Sequence, residues 1–321
     1  MDKQYAPIIL FTYCRPDHTK QVVDALLKNK EASESDLFIY SDAPKNEKAA
    51  SGVAATRAYI RNIIGFKSIS ICEREKNWGL ANSLIDGITT VINKYGRAII
   101  VEDDIVTSPY FLKYMNEALD RYANDIRVAT IHGYMLPIRF PEEVPDAFFS
   151  TCHGCWGWAT WKENWAALNK DASDLYRQVE ERKLKSFLDI DDSNRKTAML
   201  KSQVLGNINS WAIRWHVSNL LLGRLCLHPK QSYVAQIGMD GVSATHSTKT
   251  NIFDTPISMK PLNWDNVDLN VTENMLARKC IHDYYKSVWS FGNKIRWFLH
   301  ITNIEKILVG KKLNRFKWYR D

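Results

Sequence analysis

Residues 98–104 read AIIVEDD, four apolar residues that end without a spacer in three carboxylates, Glu102, Asp103 and Asp104. A short, uninterrupted apolar run is the pattern of a strand buried on both faces, as in a parallel sheet. Comparable runs stand at 7–13 (PIILFTY), 37–41 (LFIYS), 68–72 (SISIC) and 128–131 (VATI). Between them the spacing predicts helices over 18–28, 49–64, 82–95 and about 109–122. In the third of these, Leu84, Ile85, Ile88, Val91 and Ile92 share one face. Strands alternating with helices predict an α/β chain with a Rossmann-like, mostly parallel sheet and helices on both faces. Right-handed crossovers then gather the carboxyl ends of the parallel strands on one edge, where open sheets bind ligands. Segments 12–15, 73–79 and 102–104, with Asp42, fall on that edge.

Three adjacent carboxylates repel one another by about 1 kcal/mol per pair at roughly 4 Å in water, and by about 4 at a partly buried dielectric. A cation relieves that repulsion, and oxygen ligands suit Mg²⁺ or Mn²⁺. Such ions take one or two carboxylates and complete their shell with phosphate and water, so the expected task is to hold a metal on a diphosphate. The plainer reading is a solvated loop whose carboxylates cap the helix near Pro109. Its position at the end of a buried strand favours the metal–phosphate site.

The 321 residues are 45% apolar and 25% charged, which excludes a disordered or collagen-like chain. No run approaches the 18 or so apolar residues of a membrane span. The opening MDKQY leads straight towards a strand with no visible signal peptide, and only six cysteines follow. Together these predict reduced thiols and a cytoplasmic setting. Cys152 and Cys155 have the spacing of half a zinc site, but no second pair exists, so they read as ordinary thiols.

The α/β rhythm covers 1–135 and breaks at Pro137, Pro141 and Pro145, after which 136–246 mixes loops, helices and short strands. Residues 247–274 read as an irregular linker and 275–321 as a basic, aromatic, helical extension. That extension holds 11 Lys/Arg against 3 Asp/Glu, whereas the rest holds 32 against 33.

Six segments taken in order resemble a GT-A glycosyltransferase, in particular N-acetylglucosaminyltransferase I and its bacterial relatives. They are FTYCRP (11–16), SDAP (41–44), NWGLANSL (77–84), VEDDIVTSPYF (101–111), GCWGWATW (154–161) and IGMDGVSATH (237–246). The resemblance implies a nucleotide-sugar-binding half at 1–135, an acceptor-binding and donor-loop half of the same catalytic domain at 136–246, a UDP-sugar donor and a Mn²⁺ or Mg²⁺ cofactor. Thr12, Tyr13 and Arg15 would then border the nucleoside and phosphates, and Asp42 would accept the uracil imide N–H. Asn77, Gly79 and Asn82 would approach the nucleotide, with Gly79 allowing a close backbone. Glu102 would bond the ribose, Asp103 would face the donor sugar and Asp104 would bind the metal. Ser243 would sit near a phosphate in a mobile loop, and His246 would be a second metal ligand or phosphate contact. On the residues alone, Asn82 also reads as a helix cap, Asp42 as a turn initiator and Arg15 as a solvated charge.

Trp158, Trp161 and Trp165, at i, i+3 and i+7, predict one packed helical face. Trp156, just before it, and Trp211 are the candidate platforms for a sugar acceptor. An inverting transferase needs a general base, usually a carboxylate. The resembled enzyme has one in a tryptophan-flanked acidic pair, but the matching stretch Trp211-Ala212-Ile213-Arg214-Trp215 holds no acid. Asp240 is the first substitute, with Glu163, Asp191 and Asp192 as rivals.

The expected activity is transfer of a sugar to a hydroxyl of a glycan or lipid-linked glycan, with inversion. Two alternatives stand beside it: a nucleotidyltransferase acting on sugar phosphates, and a catalytically silent carbohydrate-binding protein. Residues 275–321 suit an anionic membrane surface, which would place the protein peripherally at its inner face. No nucleic-acid recognition signature accompanies them, so nucleic acid is not an expected partner.

Overall fold

A computed structural model describes residues 4–240, 252–268 and 270–288. Strands β1 (Ile8–Thr12), β2 (Asp36–Ser41), β3 (Ser68–Glu73) and β4 (Arg97–Glu102) alternate with helices α1 (Pro16–Leu26), α2 (Glu47–Ile60) and α3 (Leu80–Tyr95). After β5 (Ile105–Thr107) come α4 (Phe111–Arg121), β6 (Val128–His132), β7 (Ala147–Ser150) and β8 (Trp158–Trp161). Helices α5 (Lys162–Trp165), α6 (Ala172–Glu181), α7 (Lys185–Leu188), α8 (Lys196–Val204) and α9 (Trp211–Leu221) follow. The chain then forms β9 (Leu225–Pro229), β10 (Val234–Gln236) and α10 (Met275–Val288).

Eight strands form one sheet in the order β3-β2-β1-β4-β8-β6-β9-β7, and β5 and β10 pair separately. Strands β1 to β4 are mutually parallel. Strand β8 runs antiparallel to both β4 and β6, β9 is parallel to β6, and β7 opposes β9. Only β8 and β7 are therefore reversed, and the expected mostly parallel α/β sheet is present. The order turns back between β1 and β4. Chain connections leave this point in opposite directions, which opens a crevice at the strands' carboxyl ends.

Alternate residues of the central strands feed two cores, as the two-residue repeat of a strand requires. Ile8, Leu10, Ile99 and Val101 pack with Val22, Val23 and Leu26 of α1 and with α4. Ile9, Phe11, Ala98 and Ile100 pack on the other face with Leu84, Ile88 and Val91 of α3. Both faces are covered, so these strands read as unbroken apolar runs.

The tryptophan block departs from its expected helix. Trp158–Trp161 is a strand, with Trp158 in one core and Trp161 in the other. Residues three apart face opposite ways on a strand but the same way on a helix. Trp158, buried on a covered sheet face, meets Trp165, Trp211 and Trp215 at ring-centre distances of 6.0, 5.4 and 5.9 Å. The helical spacing was a coincidence of a four-residue strand running into a one-turn helix.

The segments read as linker and extension both touch the body. The described part of 247–274 is irregular but packs on the body: Val267 and Val271 are buried, and Val267 and Glu273 bridge to β7. Helix α10, which opens the expected helical extension at its expected start, docks through Ala277 and Ile281. Its Arg278 is 3% exposed and is answered by Asp191 (3.1 and 3.2 Å) and Glu273 (3.2 Å). The tail's residues 289–321 lie outside the described residues. Among the described residues, no helix is long and apolar enough to cross a membrane.

Candidate functional site

The carboxyl ends of β1, β2 and β4 and the loop before α3 meet on one edge. At the switch point β4 delivers Glu102, Asp103 and Asp104 opposite the loop that leaves β1, since Phe11 and Glu102 are register partners. Asp103 is 4% exposed. One of its oxygens accepts from Arg15 Nη2, and the other accepts from the Tyr13 backbone N–H at 3.2 Å. The same Nη2 donates to Asp104 Oδ2 at 3.1 Å. A single guanidinium thus bridges two of the three carboxylates. Arg15 stands at the N-cap position of α1 without a side-chain capping bond, so the positive end of that helix lies at the same place.

Burial raises the Glu102 carboxyl to about 8, and neighbouring Asp104 and Asp103 push the same way. Burial also raises the pKa of Asp103, against the opposing pull of Arg15. For Arg15 burial works against the charge, but Asp103 and Asp104 more than offset it and hold the guanidinium firmly protonated. Two buried polar atoms here have no partner among the described residues, Thr12 Oγ1 and Arg15 Nη1. An unpaired guanidinium N–H calls for an acceptor, such as a phosphate oxygen.

The segment after β10 closes over this pair. Ile237 donates its N–H to the Asp104 carbonyl at 2.9 Å, and Gly238 lies against the Asp104 carboxylate and Arg15. Two residues on, the Asp240 carboxylate is 3.2 Å from Nε2 of His18. The expected general base therefore stands beside α1, two positions from the acidic triplet's cover. Its rivals are placed elsewhere: Asp191 is held by Arg278, Asp192 accepts from Ser186 at 3.0 Å, and Glu163 is exposed on α5.

Asp42 organises the second half of the edge. Its carboxylate accepts from the N–H groups of Ala43 (2.9 Å), Trp78 (2.9 Å) and Gly79 (2.8 Å), and from Asn77 Nδ2 (3.2 Å). A carboxylate has about four lone-pair sites, so these donors occupy it and leave no vacant site for the expected uracil contact. Asn77 also donates to the Ala43 carbonyl at 2.7 Å. Gly79 has φ +73° and ψ 152°, a region essentially restricted to glycine. No atom comes within 4 Å of where its side chain would start, so its conformation, and not a crowded neighbour, requires glycine. Helix α3 starts at Leu80, two residues earlier than expected, and Asn82 donates to the Trp78 carbonyl instead of capping.

The two tryptophans expected as acceptor platforms separate. Trp211 is 3% exposed and stacked on Trp158, a core ring with no open face. Trp156 is half-buried between Tyr134 and Phe253, at 4.7 and 5.3 Å. Ser243 and His246 lie outside the described residues. A buried histidine group that no local motif announces lies next to Trp156. Its Nδ1 atoms of His132 and His228 are 3.3 Å apart, and His153 lies 5.8 Å from His216 ring to ring. Burial lowers the pKa of all four, His153 to about 3 and His228 to about 4.

The donors at the triplet are all hard oxygens, and the chain already sets a cationic group between two of them. That chemistry fits a small divalent ion. Among the described residues, no three or more His, Cys, Asp or Glu side chains are arranged to hold a metal by themselves. An ion here would take its remaining ligands from phosphate and water. Cys152 and Cys155 are free thiols.

No protein-family model matches the chain, and no curated protein matches it. Among solved structures it is similar to S. aureus TarS, with TM-score 0.31 and 12% identity over 44% of this chain and 24% of that one. It is also similar to the mannosyltransferase PcManGT from Pyrobaculum calidifontis in complex with GDP-Man and Mn²⁺, with TM-score 0.38 and 10% identity over 68% and 70%. A UDP-glucose pyrophosphorylase complexed with UDP-glucose gives TM-score 0.35 and 9% identity over 70% and 90%. The chain spans about a quarter of TarS.

Proposed function

We propose that the chain is a glycosyltransferase that moves a sugar from a UDP-sugar to a hydroxyl of a glycan or lipid-linked glycan, with inversion. The observation that carries this reading is the placement of Asp103, Asp104 and the unpaired Nη1 of Arg15 at the β1/β4 switch point. A nucleoside diphosphate offers that edge both things it lacks: acceptor oxygens for Arg15, and a second set of ligands for a cation on the carboxylates. Asp104, with Asp103 beside it, would hold Mn²⁺ or Mg²⁺, and such an ion when bound supplies positive charge to the departing diphosphate.

The chain's own residues do the rest. Asp103 fixes the loop after β1 by its bonds to Tyr13 and Arg15, so that the guanidinium and the start of α1 face the phosphates. Thr12 Oγ1 lies buried and unpaired at the same strand end, within reach of that loop. The Asp42 carboxylate holds the 77–79 turn open, and above Gly79 a nucleoside can approach the backbone. Asp240 takes the proton of the acceptor hydroxyl as its oxygen attacks the anomeric carbon, and His18 orients that carboxylate. Trp156 presents a flat ring to the acceptor sugar.

The test is UDP release from a panel of UDP-sugars with Mn²⁺ or Mg²⁺, with and without glycan acceptors. Metal-dependent release that is lost in Asp104→Ala and slowed about 100-fold or more in Asp240→Asn supports the reading. No release from any donor, together with pyrophosphate formation from a nucleoside triphosphate, would replace it with nucleotidyl transfer.

A further inference from the structure

Arg15 occupies an unusual place. Its Nη2 lies against both Asp103 and Asp104, while Nη1 is buried under Gly238 with no acceptor among the described residues. One half of the guanidinium therefore does what a cation would do at those carboxylates, and the other half is set for an anion. The two carboxylates differ as well. Asp103 is tied from both oxygens, to Arg15 and to Tyr13, whereas the Asp104 side chain is 14% exposed and shares only one contact with Arg15, the longer one. Asp104 is the partner that Arg15 can release at least cost.

We propose that Arg15 is a built-in placeholder cation: it competes with a divalent ion for Asp104, so the ion binds tightly only with a diphosphate, whose oxygens receive the displaced guanidinium. This rests on the nucleotide-and-metal reading above. Without the diphosphate, an ion at Asp104 meets a like charge a few ångströms away. With it, Arg15 Nη1 gains its missing acceptor, Nη2 turns from Asp104 to the phosphate, and the ion gains phosphate ligands. Metal and nucleotide thus favour each other through one side chain, and free metal is held off the empty site.

The experiment is a Mn²⁺ titration of the full chain by electron paramagnetic resonance, without and with UDP, in the wild type, Arg15→Gln and Arg15→Lys. In Arg15→Gln the affinity for Mn²⁺ alone rises about thirtyfold or more. That is the factor expected from removing one charge roughly 4 Å from a dication even at the dielectric of water. The gain that UDP gives to Mn²⁺ binding shrinks accordingly. Arg15→Lys keeps the charge and stays near the wild type. If Arg15→Gln binds Mn²⁺ no more tightly than the wild type, while UDP and Mn²⁺ still bind both, the placeholder role is overturned and the nucleotide site stands. Absence of UDP and Mn²⁺ binding in every protein overturns the underlying reading as well. Should Arg15→Gln not fold, ¹⁵N-arginine spectra of the wild type decide. The Arg15 side-chain signals move when Mg²⁺ and UDP are added together, and unchanged signals at saturation overturn the proposal.

Discussion

Gly238 has no room for a side chain because of Asp104: a β-carbon at 238 would overlap Asp104 Oδ2 and stand 2.7 Å from Arg15 Nη1. The segment after β10 thus fits the acidic triplet only with glycine at this point. Gly238→Ala is expected to cost about 1–3 kcal/mol by overpacking and to weaken UDP binding. In an Asp104→Ala background the overlap is largely relieved, so the same change costs less. Urea unfolding of the four proteins in this double-mutant cycle checks the coupling. Equal costs in both backgrounds would show that the two residues do not meet.

Asp42 is expected to act through the loop it holds. Asp42→Ala strips Trp78 and Gly79 of their acceptor, and unpaired, partly buried N–H groups cost about 1–3 kcal/mol each. Stability should fall by about 2 kcal/mol, and amide exchange at 78 and 79 should quicken far more than exchange in β4. Unchanged protection at these two amides would contradict the anchoring role.

The tryptophans should separate by experiment as they do in space. Trp211→Ala removes a buried ring from the group around Trp158, and losses of this kind run to about 3–5 kcal/mol. Trp156→Ala should cost less stability and raise the KM for the acceptor. Unfolding midpoints and acceptor kinetics on both variants read the difference directly. A large acceptor effect from the milder Trp211→Phe would restore Trp211 as a sugar platform.

Stability should depend on pH through two opposed groups. Glu102, raised from an ordinary 4.5 to about 8, binds its proton more tightly in the fold than in the unfolded chain. Its contribution is therefore complete below about pH 4.5 and lost as pH rises towards 8. The buried histidines are lowered, so the unfolded chain binds more protons below 6.5, and their contribution is lost as pH falls through that value. Urea unfolding of metal-free wild type and Glu102→Gln between pH 5 and 8.5 isolates the first effect. The wild type should lose stability relative to Glu102→Gln on the alkaline side. A constant difference would mean that Glu102 ionises normally.

Strands β1, β2, β4 and β6 were legible because each is buried on two faces and reads as a largely apolar run, and β3 because its short SISIC stretch falls between two helical patterns. Strand β8 was not: four residues with Trp158 and Trp161 at its ends, followed at once by α5, reproduce a helical period. The segments of the candidate edge could be found because parallel crossovers force them together. What each side chain does there could not. The use of the Asp42 carboxylate by Trp78 and Gly79, and the bridge from Arg15 to both aspartates, depend on directions that spacing does not encode. The histidines at 132, 153, 216 and 228 come from four separate segments and leave no local motif.

Isothermal titration of the full chain with UDP, in the presence of Mn²⁺ and then Mg²⁺, tests the central claim most directly. One saturable site is predicted that disappears on chelation and in Asp104→Ala. Absence of UDP binding with either ion, or binding indifferent to both chelator and Asp104→Ala, would contradict it.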